Sequence, residues 1–381
     1  MKTLNKPAFL FIVAFALIAG FTSCKKDNAI NGGKPSINYV RVTNPASSDS
    51  LLIGAGQGNL IAIIGENLGG AKSMWFNDQK ASLNPTYVTN KSILVHIPTP
   101  IPVEITNKLK IYFANGDSLL YDFQVQISKP VVNNMVCEFV NEGDVATIRG
   151  DFFYEPLTVT FTGGVTGELV SVKDQEIQVR VPAGAQPGPI TVTTNFGKTI
   201  SNFWFEDNRN HFIDSDPYEG WHNPDWVVSN PGPGDPPKIS GNYIRVKGML
   251  GAWSYNEIAD GDAGSMPNHS KNIPDAAILN PQDYNLKFEV NTIKPYNASI
   301  IRINAGTSQQ DNGAYLWNPP YDSKGQWQTI VIPYEEVVAS YAVRPTVNPN
   351  GYWTMLLIQG PGDFDADICF DNFRIVPKVI K

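Results

Sequence analysis

Leu60-Ile61-Ala62-Ile63-Ile64-Gly65 and Val145-Ala146-Thr147-Ile148-Arg149-Gly150 decide the fold of this chain. Each run is short, rich in β-branched residues and halted by glycine, which reads as a strand. The two glycines are 85 residues apart. A second pair of strands ends on proline: Ile93-Leu94-Val95-His96-Ile97-Pro98 and Ile177-Gln178-Val179-Arg180-Val181-Pro182, 84 residues apart. In both, the first, third and fifth residues are β-branched and share one face of a strand. A closing hairpin follows each. In the first copy Lys110–Ala114 and Ser118–Phe123 flank Asn115-Gly116, the strongest short hairpin signal. In the second, Ile190–Thr194 and Thr199–Phe205 flank Asn195-Phe196-Gly197. Markers recurring at one offset predict tandem copies of one fold.

Short strands with regular turns predict antiparallel β-sandwiches. Composition agrees: 32 Gly and 29 Pro among 381 residues suit tight turns, and 42% hydrophobic content suits a folded chain. The quoted strands resemble those of immunoglobulin-like IPT/TIG domains, over residues 35–128 and 129–206. Beyond Phe205 the composition shifts. Residues 207–240 are rich in Asp, Asn, Pro and Gly, and strands return from Asn242 to Pro377 with one short helical stretch at Tyr334–Tyr341. Residues 207–381 are expected to form one larger jelly-roll-type β-sandwich, so the whole chain is all-β.

The N-terminus has a different logic. Lys2 and Lys6 precede an apolar run from Ala8 to Phe21, and Thr22-Ser23-Cys24 follows. This is a signal peptide over residues 1–23 with a lipobox cysteine, so Cys24 is the expected lipidation site. The apolar run falls short of the roughly 20 residues that cross a bilayer. Lys25–Lys34 is polar and Gly-rich and reads as a tether closing the segment 24–34. Removing residues 1–23 deletes two lysines and no acid, which takes the formal charge from −7 to −9. Such a surface does not suit nucleic acid. Cys137 and Cys369 lie far apart in sequence and in different expected domains. They are expected as buried thiols rather than a disulfide framework.

Six of the eight Trp and ten of the fifteen Tyr follow residue 206. Trp327 and Trp353 sit in strand patterns and are expected in the core; Trp226 reads either way. Trp221, Trp253 and Trp317 stand beside Gly or Pro in turn-rich stretches, with Tyr255 and Tyr315 nearby. A rigid aromatic on a loop offers a flat apolar face with a polar rim, the complement of a pyranose ring. These five residues are the candidate glycan contacts.

Two further runs, Gly325-Gln326-Trp327-Gln328-Thr329-Ile330-Val331-Ile332-Pro333 and Asp367–Pro377, look like strands of carbohydrate-binding jelly rolls. The layout of lipobox, tandem IPT/TIG domains and this module is similar to the surface glycan-binding proteins of Bacteroidota polysaccharide-utilisation systems. That resemblance implies lipid anchoring at the outer face of the outer membrane and a TonB-dependent importer as partner. It implies an aromatic platform for a β-glucan such as xyloglucan or mixed-linkage glucan, at about the positions of Trp221 and Trp253. The competing reading is an adhesin or assembly subunit that binds another protein through its Ig-like domains.

Catalysis is not expected. No Gly-x-Ser-x-Gly, His-Glu-x-x-His or phosphate loop occurs, and His96, His211, His222 and His269 show no metal-ligand spacing. Asp363, Asp365, Asp367 and Asp371 form an acidic cluster that reads as a strand edge, with a structural Ca²⁺ site as the alternative. No other cofactor is expected.

Overall fold

The computed structural model describes residues 33–47, 49–220, 224–262, 264–307 and 313–378. The chain divides into two compact units at Ile127 and Ser128. It is an all-β protein: Ig-like sandwiches followed by a larger sandwich. In the first unit a three-stranded sheet (Ser36–Val42, Leu60–Glu66, Ser92–His96) packs on a four-stranded one (Gln79–Ala81, Ala71–Phe76, Lys108–Phe113, Ser118–Asp122). Ile61, Ile63, Val95, Phe76, Ile111 and Phe123 meet between them. The Asn115-Gly116 hairpin is present, with Gly116 carrying the positive φ of 89° that its turn requires.

The second unit opens with another such sandwich, residues 131–205. Its four-stranded sheet is ordered Val131–Met135, Val145–Asp151, Glu176–Arg180, Glu168–Lys173; its three-stranded sheet is Leu157–Thr162, Gln186–Thr194, Gly197–Phe205. The repeat extends to individual hydrogen bonds. Gly58 N donates to Ile97 O and Ile97 N to Asn59 O; Gly143 N donates to Val181 O and Val181 N to Asp144 O. Each pair clamps the strand just before the marker proline. The marker glycines sit beside register shifts where the neighbouring strand bulges inward. A Cβ on Gly65 would stand 2.0 Å from Ser36 O, and one on Gly150 would stand 1.9 Å from Val131 O. Only glycine admits that close backbone approach.

The C-terminal sandwich has two sheets. The back sheet runs Val227–Val228, Tyr243–Leu250, Phe364–Pro377, Tyr284–Thr292, Gln328–Pro333, with His211–Ile213 also paired to Phe364–Pro377. The front sheet runs Asn256–Gly261, Trp353–Ile358, Ile301–Thr307, Tyr315–Trp317. Phe288, Phe370, Phe373, Ile303, Leu356 and Ile358 belong to the core between them. Phe370 and Phe373 are three apart, so strict alternation would send them to opposite faces. Asn372, at φ 53°, adds the residue that returns Phe373 to the core. It stacks there on Phe288 with ring centroids 4.6 Å apart. The helix Tyr334–Ala339 occupies most of the expected helical stretch.

The back sheet's outer face meets the second sandwich and is buried there. Cys137 and Phe139 join Ile239, Tyr243, Trp327 and Cys369 in a small apolar cluster. Both thiols are free and buried, yet the two cysteines of different sandwiches share this one cluster. Beside it, Glu138 accepts from Lys287 Nζ at 2.6 Å and from Arg374 Nη2 at 2.7 Å. Arg374 also donates to both oxygens of Glu289, at 2.7 and 3.0 Å. Two acids and two bases thus neutralise one another out of water. Thr329 N donates to Val136 O at 2.8 Å, so the edge strand Gln328–Pro333 is capped by the second sandwich's backbone.

Candidate functional site

The two faces of the front sheet differ in chemistry. Register pairs Ile301 with Ile358 and Trp317, and Ile303 with Leu356 and Tyr315. These residues share the inward face. The alternate row pairs Arg302 with Leu357 and Leu316, and Asn304 with Met355. That row faces away from the back sheet. Tyr315 and Trp317 therefore point to the core side, on an edge strand where a loop was expected. Trp317 packs among Phe288, Tyr296 and Tyr321, with centroids 5.2–5.4 Å away. This corrects the expectation that its ring is a free platform: pleat phase, not the neighbouring prolines, sets where it points. Burial raises the Tyr315 hydroxyl pKa, with the charge of Glu336 adding to it.

Trp253 and Tyr255 have 59% and 54% of their surfaces exposed. They sit on the turn from Leu250 in the back sheet to Asn256 in the front sheet. Trp253 adopts a left-handed φ of 59°, a costly conformation for a bulky side chain. The turn is pinned against the loop that follows the strand Trp353–Ile358. Trp253 N donates to Gly360 O at 2.7 Å, and Ala252 N donates to Asp363 Oδ1 at 2.7 Å. Glycine is required at position 360 of the tether: a Cβ there would lie 2.5 Å from Ile300 N.

Beside Tyr255 a shallow cavity of about 370 Å³ opens on the outer face, lined by Arg302, Gly313, Ala314, Met355, Leu357 and Gln359. Ala314, Met355 and Leu357 supply its apolar lining, and Arg302 is the charged group in it. Arg302 Nε donates to Gln359 O at 3.0 Å. Arg302, Met355, Leu357 and Gln359 were not singled out from the sequence. The alternation of Ile301-Arg302-Ile303 was the available signal, since a charged residue between two buried ones must face outward.

Trp221, like Cys24, lies outside the described residues. Trp226 packs partly on the core, and Trp327 and Trp353 are buried. The acidic cluster is committed elsewhere. Asp367 pairs with Arg245 at 2.8 Å, Asp365 with Lys294 at 2.7 Å, and Asp363 holds Ala252 N. Asp371 is buried, and its carboxyl is pushed well above the usual range by burial, then by the charges of Asp214 and Glu289. Among the described residues no group of three His, Cys, Asp or Glu side chains is arranged to hold a metal ion. Among the same residues no helix is long and apolar enough to cross a membrane.

Residues 205–377 match the model of the family described as surface glycan-binding protein B xyloglucan binding domain. The likeness to that family is carried by this segment, which is less than half of the chain. The match takes in the front sheet, its cavity and the Trp253 turn. A curated Bacteroides ovatus relative, an IPT/TIG domain-containing protein, is 30% identical over 160 residues, which are 40% of this chain. The aligned region spans about a third (32%) of that relative's length. Among solved structures, the surface glycan-binding protein PbSGBP-B of Prevotella bryantii superposes with a TM-score of 0.68 at 24% identity, covering 91% of this chain and 99% of its own. SGBP-B from a complex xyloglucan utilization locus in Bacteroides uniformis gives 0.51 at 18% identity, covering 91% and 100%. At these identities the two structures establish a common fold.

Proposed function

We propose that this protein is a non-catalytic surface lipoprotein that captures polysaccharide through the outer face of its C-terminal sandwich. The reading rests on one observation above others: Tyr255 exposes its ring at a cavity lined in part by Met355 and Leu357, with Trp253 exposed two residues before it, within the segment that matches the glycan-binding family's model. The ligand class is a β-glucan such as xyloglucan or mixed-linkage glucan. A pyranose ring laid on each aromatic face removes apolar area from water on both partners, about 1–2 kcal/mol per ring by the usual coefficient. Arg302 and Gln359 supply polar groups at the rim.

Lipidation at Cys24 holds the chain at the outer membrane, and the two Ig-like sandwiches lie in sequence between anchor and binding face. A TonB-dependent importer receives the captured glycan. Individual sites of this kind are weak, and many anchored copies raise retention by avidity. Affinity electrophoresis of the purified chain in gels containing xyloglucan or barley β-glucan tests the reading. Retardation relative to a non-binding control is expected. Unretarded migration in every β-glucan gel, or release of reducing sugar from the glycan, overturns it.

A further inference from the structure

We infer that Arg302 is the specificity-determining polar contact of this face, and that its terminal nitrogens read two adjacent hydroxyls on a neutral sugar ring. The inference rests on the glycan-binding reading above and adds the chemistry by which the site selects its ligand. Two other guanidinium groups of the C-terminal sandwich are committed to carboxylates: Arg245 to Asp235 and Asp367, Arg374 to Glu138 and Glu289. Arg302 differs. Its Nε is tied to the Gln359 carbonyl at 3.0 Å, and its two terminal nitrogens meet no carboxylate and no acceptor among the described residues. Its neighbours across the sheet are Leu357 and Leu316, and the next acid in that row, Glu257, is buried beyond Leu357.

The tether decides the geometry. A guanidinium held through Nε keeps its plane fixed and presents a fork of parallel N–H donors, at little further entropic cost on binding. Vicinal equatorial hydroxyls place two acceptor oxygens side by side at the edge of a pyranose ring. The same ring offers its C–H face to the aromatic beside the cavity, here Tyr255. Edge and face are then read together, so a ring with one of the two hydroxyls blocked loses the fork.

The test uses the purified full chain with cellohexaose and its partly O-methylated counterpart, by isothermal titration calorimetry. Wild type is expected to bind the methylated sugar about tenfold more weakly than cellohexaose. Arg302→Met, which keeps the apolar stem, is expected to bind both sugars equally weakly with an unchanged Tm. Arg302→Lys is not expected to restore affinity, because a single ammonium nitrogen cannot hold the Gln359 carbonyl and present a planar pair of donors as well. If wild type binds cellohexaose and Arg302→Met binds it equally well, the inference is overturned while the glycan-binding reading stands. If wild type binds a glucuronate-containing hexasaccharide more tightly than cellohexaose, and Arg302→Met abolishes that preference, the fork reads a carboxylate and the inference is again overturned. If wild type binds no glycan, the underlying reading fails first.

Discussion

Arg374 and Glu138 are 236 residues apart in sequence, and their guanidinium and carboxylate meet at 2.7 Å inside the seam between the second Ig-like sandwich and the C-terminal one. Arg374 also lies over the Phe139 ring at 5.0 Å. The seam therefore combines a balanced ion network with the apolar cluster around Cys137, Trp327 and Cys369. Removing one partner of a buried pair leaves a charge uncompensated, at a cost of about 3–5 kcal/mol. Glu138→Ala is expected to lower stability by that amount in urea denaturation. Residues 207–381 alone are expected to unfold well below residues 128–381, because excision bares Lys287, Glu289, Arg374 and Trp327. Equal midpoints for the two fragments would remove the seam from the account.

Asp371 offers a pH prediction. Its folded pKa is raised, so the stability tied to its neutral carboxyl is complete below the unfolded value, about pH 4, and is lost as pH rises through the folded value. Asp371→Asn stays neutral and keeps an oxygen for the Asn372 N–H, which now donates to Asp371 Oδ1 at 3.0 Å. The variant is expected to match wild type in Tm near pH 4 and to exceed it increasingly toward pH 8. A difference independent of pH would show that Asp371 titrates normally.

The marker glycines make a paired test. Gly65→Ala and Gly150→Ala each push a methyl group into the carbonyl of the adjoining strand. Forced overpacking of this kind costs about 1–3 kcal/mol or more. Both variants are expected to lower the unfolding midpoint, each in its own sandwich, as read by hydrogen exchange. Protection factors unchanged in either copy would contradict the shared bulge.

Trp253 carries strain that packing does not explain, since its ring is largely in solvent. Trp253→Gly is expected to keep or raise Tm, because glycine accepts a positive φ, while glycan retention falls. Asp363→Ala is expected to weaken retention less, by loosening the Ala252 tie without removing the ring. A loss of Tm in Trp253→Gly as large as its loss of binding would mark Trp253 as structural.

Much of this protein was legible without coordinates because it depends on local rules. Glycine where strands bulge, proline after a clamped strand and period-two alternation all act over a few residues. The tandem all-β architecture and the aromatic-rich C-terminal sandwich followed from them. The site was half legible. Trp253 and Tyr255 stand on a turn, whose exposure is a local property. Trp317 looked equivalent, but the pleat phase of an edge strand turned it inward, and that phase is set by pairing with Ile301 in the preceding strand, a register that the residues around Trp317 do not reveal.

What only the tertiary structure decided is which surfaces meet. Strand periodicity says that a residue has two possible faces; it does not say which face another sheet or another domain will cover. The pairing of Glu138 with Arg374, the shared cluster of Cys137 and Cys369, and the cavity beneath Arg302 all arise from contacts between distant segments. Desolvation and charge pairing act through space, so they became visible only once the chain had folded.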